Sequence, residues 1–144
     1  MLGGMPFDLS QDIRDRSFAL ACRVVRASTE LPAVPGVRRI ADQLVRSGTS
    51  IGANLEEAKA ASSKKDFLNY VQISLKECRE TKYWLRLCAE LGFLSATTAQ
   101  PLIGHADQVG RILGAIVIST KRRMMSGCSV FAFCILNLAS LISE

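Results

Sequence analysis

Histidine is almost missing from this 144-residue chain: His105 is the only one. That scarcity removes most of the residue sets that perform chemistry. No HExxH or CxxC occurs, so a zinc hydrolase and a dithiol redox protein both lack their central groups. Carboxylates do cluster, at Glu56 and Glu57 and again at Glu77 and Glu80, but without the Glu-x-x-His pairs that hold a di-metal centre in a bundle. Adjacent Glu56 and Glu57 point about 100° apart on a helix, and Glu80 lies one turn from Lys76, so surface ion pairing is the expected use of these acids. No catalytic residue, metal ligand or cofactor site is expected. The inventory points away from an enzyme.

Aromatic residues are also scarce, at 6%, and four prolines and ten glycines are too few to punctuate many short strands. An all-β domain is disfavoured. The cysteines Cys22, Cys78, Cys88, Cys128 and Cys134 are odd in number, and the opening MLGGMPFDLSQD lacks the basic-then-apolar layout of a signal peptide. A reducing, cytoplasmic setting is the expectation. Cys78 and Cys88 fall on an apolar helical face, as small buried hydrophobes do.

What the chain has is Ala, Leu, Ile, Val and Arg, with 49% hydrophobic and 22% charged residues, the balance of one soluble domain. Ile13, Leu20, Val24 and Leu31, following the potential caps Asp8 and Ser10, predict a first amphipathic helix stopped by Pro32-Ala33-Val34-Pro35-Gly36. Val37, Ala41, Leu44, Gly48, Ile51, Leu55 and Ala58 then alternate by four and three, a second helix with a coiled-coil-like seam. Its middle, Ser47-Gly48-Thr49-Ser50-Ile51-Gly52-Ala53, is poor helix material in isolation, each Gly costing about 1 kcal/mol against Ala. Close approach of a neighbouring helix at Gly48 and Gly52 is therefore expected. A phosphate loop is not, since Ala53-Asn54 follows the second glycine where Lys-Ser/Thr is needed.

Ser62, Ser63 and Asp66 predict a capped third helix through Phe67, Val71, Ser74, Cys78, Thr81, Leu85 and Cys88, closed by Gly92. Ser95, Thr97 and Thr98 offer caps for a fourth, with Pro101 in its first turn and a seam of Leu102, Ala106, Val109, Leu113, Ile116 and Thr120 ending at Lys121-Arg122-Arg123. Four such helices on short turns predict an all-α fold, an antiparallel up-down-up-down four-helix bundle over residues 1–123. Residues 124–144 make a separate apolar tail in which Glu144 is the one charge. Its dense part, Val130 to Ile142, includes Asn137 and Ser140 and falls short of the roughly 20 apolar residues that span a bilayer. Packing on the bundle or on a neighbouring subunit is expected over membrane insertion.

The surface carries two further patterns. The chain is +5 overall, with all 18 basic groups and 12 of its 13 acids before residue 124. Arg16, Arg23 and Arg26 share one side of the first helix and Arg79, Lys82 and Arg86 one side of the third, two stripes suited to phosphates rather than to base edges. Ile73, Trp84, Leu87 and Leu91 gather away from the core seam of the third helix, a candidate oligomer interface. The expected function is a non-enzymatic oligomeric scaffold that binds RNA or a ribonucleoprotein. The alternative is a protein-binding adaptor without nucleic-acid affinity.

The segments Ile40 to Ala58, Ser63-Lys64-Lys65-Asp66-Phe67, Leu75 to Leu87 and Val109 to Gly114 give the chain a resemblance to a family. Over roughly residues 7 to 123 it resembles the bacterial four-helix-bundle proteins encoded in intervening sequences of large-subunit ribosomal RNA genes. It is also similar to the accessory variability protein of diversity-generating retroelements. The resemblance implies a small cytoplasmic bundle forming a homo-oligomeric ring, commonly a pentamer, without catalytic activity. Through the retroelement relative it also implies a basic surface for nucleic acid and a reverse transcriptase. Met124 to Glu144 departs from the family pattern.

Overall fold

The structure, a computed structural model, describes residues 11–141, with side chains through Ser126. Four helices follow one another: α1 (Gln11–Ser28), α2 (Pro35–Lys59), α3 (Lys64–Glu90) and α4 (Ala96–Leu141). Neighbours in sequence pack side by side, and α1 also closes against α4, while the diagonal pairs α1/α3 and α2/α4 do not meet. The result is the antiparallel square bundle that the spacing predicts.

Periodicity placed the core because every third or fourth residue returns to one face of a helix. Ile13, Leu20 and Val24 of α1, Leu44, Ile51 and Leu55 of α2, Val71 and Leu85 of α3, and Val109 and Leu113 of α4 are completely buried. Ala41 and Ile116 of the expected seams are half-buried instead, and Val117 takes an inward position at the far end of α4. α1 stops at Ser28, so Leu31 reaches the core from the turn that follows.

The helix ends follow local chemistry. Ser63 caps α3 by accepting from the Asp66 backbone N–H at 3.1 Å and donating to the Asp66 carboxylate at 2.6 Å. Gly92 ends it with φ +69, a conformation that side-chain-bearing residues rarely adopt. α2 differs, opening at Pro35 behind Val34 without a side-chain cap. Pro101, expected in a first turn, lies in the second turn of α4, because Ser95 caps the helix by accepting from Thr98 N–H at 3.1 Å and so sets the start at Ala96.

Across the bundle, α1 approaches α2 most closely at Gly48. A methyl on Gly48 would stand 2.7 Å from Val24 Cγ1, closer than real Cβ contacts come, and the branched Val24 side chain has little freedom to turn aside. Gly52 differs: a methyl there would meet Ser17 and Phe18 at an ordinary 3.9 Å. Of the two expected close-approach glycines, Gly48 is the one that packing demands.

α4 runs on past Lys121-Arg122-Arg123 to Leu141, with no break at the triplet. The side chains after Ser126, and with them the expected packing of the apolar tail, lie outside the described residues. Among the described residues no helix is long and apolar enough to cross a membrane.

Candidate nucleic-acid interface

The two basic stripes sit on helices that do not touch, yet both border α4. On one flank Arg23 of α1 donates from Nη1 to His105 Nδ1 at 3.1 Å. On the other, Lys82 of α3 donates from Nζ to Asp107 Oδ1 at 2.6 Å. His105 and Asp107 are two residues apart, so about 3 Å of rise and about 200° of rotation separate them. The stripes therefore stand level on opposite flanks of one helix. The strip of α4 between them adds Arg111, and Asp107 is the one acid in the α4 sequence.

The cations on this face fall into two groups. Arg16 is paired with Asp12 of its own helix at 2.8 Å, while Lys82 and Arg111, the latter at 2.9 Å, share Asp107. Those two cations hold the Asp107 carboxyl below the usual carboxylate range, Lys82 chiefly through its hydrogen bond. Arg26, Arg79 and Arg86 are exposed, and among the described residues none of them has an ion-pair partner. With Arg23, whose partner His105 is neutral, these three carry the positive field of this face.

A groove of 250 Å³ runs between α3 and α4, edged by Arg79, Lys82, Asp107 and Arg111 and floored by Cys78 and Gly110. The Cys78 thiol donates to the Ala106 carbonyl at 3.0 Å, and its pKa is pushed up to about 11, first by burial and then by the negative charge of Asp107. Cys88 is also raised by burial. Both are packing groups rather than nucleophiles. His105 is held below its ordinary pKa by burial and by the charges of Arg23 and Arg16, which keeps it neutral and able to accept. Among the described residues no cluster of His, Cys, Asp and Glu has a metal-holding arrangement.

The acids form ion pairs at the surface as expected, but between helices, with Glu56 taking Arg14 of α1 at 3.5 Å. Glu80 takes Arg46 of α2 rather than Lys76, and Arg46 also reaches Glu77 at 3.2 Å, so the pair clasps the α2–α3 seam. Glu80 is held below the usual carboxylate range chiefly by its bond from Arg46. Its Oε1 also accepts from Trp84 Nε1 at 3.2 Å. Of the candidate interface residues, Leu91 is exposed, Ile73 and Leu87 are half-buried, and Trp84 is half-buried against the core.

Two surface features escaped the sequence reading although their spacing was visible. Phe18, Cys22 and Val25 fall at i, i+4 and i+7 on the outside of α1, with Phe18 71% exposed. Tyr83 lies between Arg79 and Arg86 in the same spacing on α3. Each was masked by the stronger inward period of its helix.

The comparisons agree with this architecture. The family model for 23S rRNA-intervening sequence proteins matches residues 10–115. A crystal structure of a protein of unknown function from the S23 ribosomal protein family of Bacteroides thetaiotaomicron is 33% identical, with a TM-score of 0.69 over 73% of this chain and 97% of that one. A search of curated proteins finds no match. With the bundle, its seams and its matched span agreeing, the chain belongs to the 23S rRNA-intervening sequence protein family.

Proposed function

We propose that this bundle is a non-enzymatic cytoplasmic scaffold, assembled from several copies, that holds RNA or a ribonucleoprotein by the phosphate backbone along its α4 side. The observation that carries the reading is the arrangement of the two basic stripes level with each other on either flank of α4. A polyanion lying along α4 meets Arg26 on one side and Arg79 and Arg86 on the other. Backbone contacts of this kind position without reading sequence. Self-association is supported by apolar side chains left open to solvent, Leu91 just past the end of α3 and Phe18 and Val25 on α1.

The test is the salt dependence of RNA affinity. Each phosphate contact contributes slightly less than one unit to the slope of log K against log salt. Changing Arg79, Lys82 and Arg86 together to Gln is expected to flatten that slope by about two units, because Lys82 is already engaged by Asp107 and adds little. Circular dichroism is expected to stay helical, since all three lie off the core. If the unaltered protein binds neither RNA nor DNA at low salt, the reading gives way to the protein-binding adaptor.

A further inference from the structure

The outward row of α3 alternates charge and aromatic surface: Arg79, then Tyr83, then Arg86, at spacings of four and three. These spacings put all three side chains on one face, one turn apart. Tyr83 is 58% exposed, an unusual place for a ring with no partner on its outer side. Its inner edge is fixed. Trp84 stands edge-on to it, with ring centroids 5.0 Å apart and planes at 73°. Trp84 is in turn held by Glu80, and Glu80 by Arg46 of the neighbouring helix. The clasp between α2 and α3 thus braces an aromatic face that points away from the core.

Beside that face lies a shallow groove of 330 Å³ formed by Tyr83, Arg86, Leu87 and Glu90. A second groove, of 250 Å³, continues from it over Arg86 and Glu90 to Gln100 of α4. The run offers an aromatic plane, an apolar floor at Leu87, a cation at Arg86 and polar groups at its far end, and Arg79 stands one turn before Tyr83 on the same face. Duplex RNA hides its base faces in the stack, so a fixed aromatic plane between two phosphate-binding cations suits an unpaired nucleotide instead.

We infer that Tyr83 is a stacking platform for an unpaired base of a single-stranded RNA segment, with Arg79 and Arg86 gripping the flanking phosphates. The inference rests on the nucleic-acid reading above and adds the form of the ligand. Further along the groove, Glu90 and Gln100 offer an acceptor and an amide to the edges of a neighbouring base. The groove ranks single-stranded regions above duplex, which phosphate contacts alone do not do.

The experiment compares an oligouridylate about ten nucleotides long, chosen because uridines stack little on each other, with an RNA duplex of the same length. Tyr83→Ala is expected to weaken oligouridylate binding about 5- to 150-fold, the range for loss of one stacked base, and to leave duplex binding and the salt slope unchanged. Tyr83→Phe keeps the ring and is expected to bind like the unaltered protein. Emission from Trp84, the sole tryptophan, is expected to change on oligouridylate binding and to lose that response in Tyr83→Ala. If the unaltered protein binds both RNAs and Tyr83→Ala binds both equally well, the platform is overturned while the scaffold reading stands. Equal losses on both RNAs, or a lower oligomer mass in light scattering, assign Tyr83 to folding or subunit contact and also overturn it. Failure of the unaltered protein to bind either RNA overturns both readings.

Discussion

The α2–α3 seam and the seams of α1 are built by different means. Between α2 and α3, buried hydroxyls reach across the gap. Ser74 donates to the Ile51 carbonyl at 3.0 Å, Thr81 donates to Ser47 at 3.0 Å, and Arg46 ties the rim to Glu77 and Glu80. α1 has a buried hydroxyl too, Ser17, but it finds no partner. α1 is held to α2 by shape at the core, with Val24 against bare backbone at Gly48, and by one ion pair at the rim, Arg14 to Glu56 at 3.5 Å; Arg23 to His105, and Glu30 of the following turn to Thr98, tie it to α4 at the surface. Buried directional bonds fix the register of α2 against α3, whereas the buried face of α1 is held by close packing and its polar contacts lie at the rim. A polar seam tolerates small changes of volume and loses by changes of chemistry. An apolar contact at backbone distance does the reverse.

The largest effect expected from this contrast is at the shape-held seam. Gly48→Leu forces a side chain into Val24 and is expected to cost about 1–3 kcal/mol or more by overpacking. Gly52→Ala, one turn on, is expected to be nearly neutral or slightly stabilising, because there is room for a methyl and Ala is the better helix former. Urea unfolding of both variants checks the pair. Equal losses at the two glycines would erase the distinction between them.

A paired serine substitution sharpens the comparison at intermediate size. Ser74→Ala removes a bonded hydroxyl and is expected to lower stability by about 0.5–1.5 kcal/mol. Ser17→Ala removes an unbonded one and is expected to leave stability unchanged or raise it, since no bond is lost and a desolvated polar group disappears. Thermal unfolding of the two proteins side by side decides. A loss at Ser17 matching that at Ser74 would show that its hydroxyl is bonded after all.

The smallest expected effect is at the α1–α4 rim and depends on pH. Because the pKa of His105 is depressed in the folded state, the unfolded chain binds the extra proton first as pH falls below its ordinary value near 6.5. The contribution is complete above that value and lost as pH drops through the depressed folded one. His105→Gln is expected to flatten the fall in Tm between about pH 7 and about pH 5, a change absent from a control at Ser74. An identical pH profile in the variant would detach the rim from the titration of His105.

Much of the bundle was legible in residue spacing. The run from Val37 to Ala58 and the run from Phe67 to Cys88 gave their buried faces directly, since a periodic apolar row has one stable side in water. Ser63 with Asp66, and Gly92, marked the ends of α3 because their signals are local. Pro101 was misplaced by one turn because a cap depends on which of three adjacent hydroxyls faces the first free N–H. The surface was harder. The basic stripes on α1 and α3 could be seen as rows, while their meeting around α4 could not.

The sequence by itself determined four amphipathic helices and their turns, because these depend on residue type and short-range period. Only the tertiary structure decided that Glu80 leaves Lys76 for Arg46, that Gly48 and not Gly52 meets a side chain, and that Arg23 and Lys82 stand level beside α4. The physical reason is that helical period fixes which residues share a face. The rotation and stagger of one helix against another come from how the buried side chains interlock.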